Sequence, residues 1–240
     1  MNSFLLALQF LTIIPVNYTF IASDKQLGYS VLFYPVIGLI IGGLLVVLAS
    51  LLNHLPVNIL AGLILILWVG LTGGLHLDGL ADCADAWVGG LGNKQRSLEI
   101  MKDPAAGPIA VLVVVLLLLL KWTLIVEIIN QQQTIPFLLL IPMLGRLAIL
   151  ILMLSTDYIR SAGLGEKLVE NLPVTTTKII GFLGLLIAFY FLNSIAIGLM
   201  LSILLLISYQ AKKRLGGMTG DVYGAAVEVV EVGLLLGMVI

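Results

Sequence analysis

Charge is what this chain has least of. Only 10% of its 240 residues are Asp, Glu, Lys or Arg, where a soluble domain carries about 25%. Cysteine is nearly absent: Cys83 stands alone, which excludes an intrachain disulfide framework and a CxxC metal site. A surplus of positive charge is also missing. Twelve Lys and Arg face thirteen Asp and Glu for a net charge of -1, a balance that argues against a nucleic-acid partner. No Pro/Ser-rich linker or low-complexity tail interrupts 1–240, so one membrane-embedded domain is expected. What fills the chain instead is apolar: 60% of residues are hydrophobic and the mean hydropathy is +1.17. Such a chain cannot cover itself with polar groups in water, so a lipid bilayer is its expected solvent.

A spanning helix needs roughly 20 apolar residues. Candidates lie at 31–52, 57–76, 108–129, 135–154 and about 222–240. The run 179–209 is long for one span and short for two, and is broken by Asn193 and Ser194. It reads as two short helices, 179–192 and 195–209. The N-terminal 3–15 is apolar without a basic leader. It reads as a retained interfacial or re-entrant segment rather than a removed signal peptide. The fold class is therefore all-α, a polytopic helical membrane protein with six to seven transmembrane helices.

The cations orient it. Lys121 and Arg146 fall inside expected spans. The other ten, Lys25, Lys94, Arg96, Lys102, Arg160, Lys167, Lys178, Lys212, Lys213 and Arg214, all fall in loops on one side if 179–209 is two helices. The loops near 53–56, 130–134 and 193–194 carry none. By the positive-inside tendency the charged side is cytoplasmic. Three loops on that side, 77–107, 155–178 and 210–221, hold nearly all the polar chemistry.

The first motif is Thr72-Gly-Gly-Leu-His76-Leu-Asp78-Gly-Leu-Ala-Asp82-Cys83-Ala-Asp85. Carboxylates at i, i+4 and i+7 differ by only about 40° around a helix. Like charges so placed repel, and near lipid the penalty grows. A divalent cation converts that repulsion into attraction, and oxygen ligands on one face suit Mg²⁺. A solvated helix start accounts for one aspartate, Asp78, but not for three. His76 reads either as a phosphate contact or acid–base group or as a solvated helix-end residue. Cys83 reads as a small packing residue.

The second motif is Gly216-Gly217-Met-Thr219-Gly220-Asp221-Val-Tyr-Gly-Ala-Ala-Val-Glu228-Val-Val-Glu231. Asp221 and Glu228 share a helical face. Glu228 and Glu231 lie inside a span, where carboxylates are functional candidates by default; the bland alternative pairs them with Arg146 or Lys121. Gly217 and Gly220, with Thr219 between them, would let the backbone approach a phosphate. Both motifs have the form GG-x3-D-x6-[D/E], as two halves clasping a metal would, though so few matched positions also arise by chance. Lys94, Arg96 and Lys102 can neutralise a pyrophosphate or merely anchor the loop. Arg146, mid-span, binds a phosphate or pairs with an intramembrane glutamate. Lys121 and Glu127 read as structural or snorkelling residues of the outer half.

The run GGLHLDGLADCADAWVGG (73–90) resembles the signature region of the cobalamin synthases, the adenosylcobinamide-GDP ribazoletransferases. LQFLTIIPV (8–16), GRLAILILMLSTDYIRSAGLG (145–165) and LGGMTGDVYGAAVEVVE (215–231) are similar to the same family, so the likeness runs through the whole chain. Ala86 departs from it where some relatives carry glycine. The resemblance implies an Mg²⁺-dependent enzyme of the bacterial inner membrane. In that chemistry a ribose hydroxyl of α-ribazole, or of its 5′-phosphate, attacks the corrinoid-side phosphorus of adenosylcobinamide-GDP, and GMP leaves. On that reading Asp78, Asp82, Asp85 and Asp221 hold the metal. Asp82 or Glu228 takes the hydroxyl proton, with His76 as a further acid–base candidate. Lys102, Arg146, Gly217, Thr219 and Gly220 bind substrate. A homo-oligomer is compatible with the sequence.

Two rivals come from other chemistries. A CDP-alcohol phosphotransferase would carry a longer pattern after DGxxAR, which the Asp-x-x-Asp spacing here departs from. An ion-coupled transporter would place its carboxylates mid-span, whereas the main cluster here is at the span ends.

Overall fold

The computed structural model describes residues 2–16, 22–132, 134–161 and 163–240. Among them no β-strand forms; the chain is helical throughout, with one isolated bridge between Tyr158 and Met218. Six helices are long and apolar enough to cross a membrane, or seven if a bent pair counts as one span.

A short helix α1 (Asn2–Leu11) precedes α2 (Asp24–Ser30), which runs through a 3-10 turn into α3 (Tyr34–Leu51). Ser23 and Gln26 form a reciprocal capping box that starts α2. Next come α4 (Val57–Thr72) and α5 (Leu75–Gly89), bent against each other by 87°. A short α6 (Lys94–Ile100) leads to α7 (Pro108–Asn130) and α8 (Thr134–Ser155). The remaining helices are α9 (Leu164–Glu170), α10 (Val174–Phe191), α11 (Ser194–Leu215) and α12 (Gly220–Val239). The apolar run 179–209 is thus two helices, as the charge pattern required, separated where Asn193 caps α11 by accepting from the Ala196 amide at 2.8 Å.

α8 and α12 are the buried axis of the bundle, while α7 and α10 turn most of their surface outward. α3 packs on α8 through Gly38 and Gly42, four residues apart. A Cβ on Gly38 would meet the backbone of Pro142 and Met143, and one on Gly42 the backbone of Leu138 and Leu139. Small residues at this spacing let membrane helices approach closely, where dispersion rather than the hydrophobic effect drives association.

The three polar loops meet at one end. Arg214 donates to the Trp87 carbonyl (2.8 Å), and Arg160 to the Met101 carbonyl (3.2 Å). At the other end Asn193 donates to the Gly237 carbonyl (2.8 Å). Lys121 corrects the sequence reading. It does not snorkel; it is fully buried, its ammonium 4.2 Å from the Trp68 ring centroid and bonded to Glu228 and Glu231.

Candidate active site

The site begins with a turn that glycine makes possible. Gly73 (φ 60°) and Gly74 (φ 73°) are consecutive left-handed residues, a conformation costly for any residue with a Cβ. Gly73 ends α4 with its amide bonded to Gly70 and Val69 carbonyls, and α5 leaves at 87°. We read α5 as lying across the polar end of the bundle rather than crossing it. Its acidic face then meets the N-terminus of α12. The two helices touch nearly backbone to backbone: a Cβ on Gly79 would sit 2.6 Å from the Asp221 carbonyl oxygen, and one on Gly224 3.3 Å from the His76 Cα.

A second loop locks α12 in place. Gly216 (φ 88°) ends α11 in the left-handed region. The Met218 amide then bonds the Asp157 carbonyl (2.8 Å), and the Ile159 amide bonds the Met218 carbonyl (2.9 Å). Gly217 serves this contact: a Cβ there would meet Ile159 and the Asp157 carbonyl. Its close approach is to protein backbone. Thr219, fully buried, caps α12 by accepting from the Val222 amide at 3.3 Å. Gly220, with open space around its Cα, faces a cavity.

This loop pairing delivers a residue the sequence reading did not single out. Arg160 donates to Asp221 Oδ2 at 3.0 Å. In the sequence Arg160 was one of ten loop cations, and nothing in spacing linked it to a carboxylate 61 positions away.

Asp78, Asp82 and Asp221 form the acidic face of the α5–α12 crossing. Asp78 is exposed and Asp82 partly buried. Among the described residues neither side chain makes a hydrogen bond or salt bridge. Burial first, and then the negative charges of Asp221 and Asp78, push the Asp82 carboxyl up to about 6 against the pull of Arg160. The folded protein therefore holds this proton more tightly than the unfolded chain. Stability should fall as pH rises from about 4 to about 6 and then level off. In cation-free buffer, Asp82→Asn should melt above the wild type at pH 7.5, with the gain vanishing at pH 4.5. Equal melting temperatures at pH 7.5 would contradict this electrostatic account.

The remaining sequence candidates separate from this face. The Asp85 carboxylate accepts from the amides of Gly107 (2.5 Å) and Ala110 (2.9 Å), capping α7. A free helix N-terminus is a strong attractor for a carboxylate, so the expected ligand Asp85 is a structural cap here. Glu228, expected as a base, is buried with Oε2 3.0 Å from the Lys121 ammonium. Arg146, expected at a phosphate, is buried and paired with Glu231, with a further bond to the Pro142 carbonyl (3.3 Å). Two cations and two carboxylates thus neutralise one another inside the bundle, which is how buried charge is tolerated in lipid. Lys102 is exposed in the turn after α6. Among the described residues, no three His, Cys, Asp or Glu side chains close on one point as a metal cage. The oxygen-only donors suit a hard ion that keeps several waters and takes phosphate oxygens from its substrate.

Beside this face opens a cavity of about 230 Å³ between α1, α5, α8, α9 and α12. Asp78, Asp221 and Gly220 line it, and so does His76. His76 is almost fully buried, and its Nε2 has no hydrogen-bond partner among the described residues.

Comparison with known proteins agrees with this arrangement. Residues 3–239 match the family model described as cobalamin-5-phosphate synthase. A protein of Acinetobacter baumannii called adenosylcobinamide-GDP ribazoletransferase is 48% identical, covering 100% of this chain and 98% of that protein. Proteins of the same name from Pseudomonas fluorescens and Pseudomonas aeruginosa are 46% and 43% identical, each covering 99% of this chain. No solved structure matches. A whole-chain family match and relatives of this similarity together mean that the chain belongs to the cobalamin-5-phosphate synthase family.

Proposed function

We propose that this protein transfers the adenosylcobinamide phosphate group of adenosylcobinamide-GDP to α-ribazole or its 5′-phosphate, releasing GMP, with Mg²⁺ as cofactor. The observation that carries the reading is Asp78 and Asp82. They are carboxylates without structural bonds, held with Asp221 where two glycine-lined helices cross. Repulsion left uncompensated by the fold suits a cation and a diphosphate. The names of the relatives supply the substrates.

Asp78 and Asp221 would hold Mg²⁺, with Asp82 beside them. Bound there, the ion would polarise the phosphoryl group and neutralise charge on the departing GMP oxygen. The protein's share is positioning and charge. Arg160, partly exposed beside Asp221, is placed to share a phosphate oxygen. With Glu228 held by Lys121, Asp82 remains as the carboxylate to accept the ribose hydroxyl proton. The Lys- and Arg-rich end favours a site facing the cytoplasm from a bacterial inner membrane, where soluble substrates are at hand.

The test is reconstituted protein in liposomes with adenosylcobinamide-GDP, α-ribazole and Mg²⁺. GMP and a cobalamin should appear together, stop on chelation with EDTA and resume on adding Mg²⁺. An intact, inserted protein that releases no GMP would defeat the reading. Release of CMP from a CDP-alcohol instead would favour the phospholipid-enzyme rival.

A further inference from the structure

We propose that the cavity between α1, α5, α8, α9 and α12 is the seat of the acceptor's aromatic base, the methylated benzimidazole of α-ribazole. The inference rests on the transferase reading above and deepens it.

The cavity is apolar at depth and polar at one end. Leu11, Ile149, Met153 and Leu168 line it, and it opens toward Asp78, which is exposed, and Asp221. Tyr158 and Tyr223 form one aromatic wall, their rings 6.2 Å apart and inclined by 15°. Flat apolar ligands pack well on such surfaces. At about 230 Å³ the space lies below the roughly 300–1,000 Å³ of sites for drug-sized ligands. It can admit a single bicyclic ring but not a corrin.

Two buried polar atoms point to a ligand. The Tyr223 hydroxyl and His76 Nε2 line the cavity, are 5% and 2% exposed as residues, and have no hydrogen-bond partner among the described residues. Buried polar atoms are normally paired, and an unpaired one costs free energy. A hydrocarbon chain in the cavity would leave both unpaired. Guanine, the other aromatic base in the reaction, brings several donors and acceptors that this lining would strand. The benzimidazole of a nucleoside has one free ring nitrogen, an acceptor suited to the Tyr223 hydroxyl. Because Asp78 and Asp221 line the same cavity, a base seated inside leaves its ribose beside the carboxylates, where the attacking hydroxyl is needed.

The test uses the full chain in nanodiscs, with steady-state kinetics and calorimetric titration of α-ribazole alone. Tyr223→Phe removes one uncharged hydrogen bond. It should raise KM for α-ribazole about 5-fold while kcat and KM for adenosylcobinamide-GDP stay within about 2-fold. An α-ribazole analogue without the ring methyls should bind the wild type roughly 10-fold more weakly. Met153→Trp fills the cavity and should abolish α-ribazole binding; its melting curve reports whether it folds. If it does not, Tyr223→Phe and the analogue still decide. If the wild type turns over but α-ribazole KM is unmoved in Tyr223→Phe, the seat is elsewhere and the transferase reading survives. A rise confined to KM for adenosylcobinamide-GDP would assign the cavity to guanosine and overturn the proposal. Should the wild type not turn over, the transferase reading fails separately. Calorimetry then still tests the cavity, and α-ribazole binding that survives in a folded Met153→Trp protein would refute it.

Discussion

Asp82→Ala should leave the protein folded and inserted but lower kcat by about 10³-fold or more. Asp82 makes no hydrogen bond or salt bridge among the described residues, and its carboxyl is pushed up to about 6 largely by burial and by its acidic neighbours. Removing it therefore relieves repulsion in the cation-free protein. The effect on turnover should be large because the same group is proposed both to stand beside Mg²⁺ and to accept the hydroxyl proton; each role is worth at least about 10²-fold. GMP release in liposomes measures the loss, and a melting curve checks the fold. Asp85→Asn is the control. Asp85 caps α7, so its substitution should cost stability on the order of 1 kcal/mol with far less effect on kcat. A fully active Asp82→Ala protein would remove the proposed chemistry from the α5 face. Taken with the predicted stabilisation of Asp82→Asn, the two results would mark this face as one where repulsion is kept for function.

Lys121→Met should be the most damaging substitution away from that face. The ammonium is fully buried, bonded to Glu228 at 3.0 Å and to Glu231 at 2.5 Å, and packed against Trp68. Arg146 also pairs with Glu231. Without Lys121, Glu228 loses the ion pair that balances it and the network carries net negative charge inside the bundle. Breaking one partner of a buried pair costs about 3–5 kcal/mol, a large share of the roughly 5–15 kcal/mol that holds a typical protein folded. A melting temperature lower by about 10 °C in detergent, with a smaller folded yield, is the expected result. Lys121→Met combined with Glu228→Gln should recover most of that loss, since it restores neutrality. If Lys121→Met melts with the wild type, the network is not what joins α7 to α12.

The two GG-x3-D-x6-[D/E] motifs mark how far one-dimensional pattern reaches. Their first carboxylates, Asp78 and Asp221, line the same cavity. Their second ones, Asp85 and Glu228, are both engaged structurally, one capping α7 and the other balancing Lys121. Spacing predicts which side chains share a helical face. It cannot say whether the neighbour on that face is a helix N-terminus, a buried lysine or open solvent, because those partners lie 22 to 107 positions away. Arg146 illustrates the same limit: its sequence admitted either a phosphate or a glutamate, and burial against Glu231 selects the glutamate.

What the residues determined alone was whatever depends on local chemistry. Hydropathy dictated a helical membrane protein, because each span must satisfy its own backbone in lipid. Cation placement required the break at Asn193, and consecutive glycines marked the turns that end α4 and α11. The tertiary structure decided which carboxylates stay unbonded, brought Arg160 to Asp221, and enclosed the cavity behind His76 and Tyr223. Those outcomes depend on contacts between segments far apart in the chain, and a contact of that kind is a property of packing, not of any one stretch of sequence.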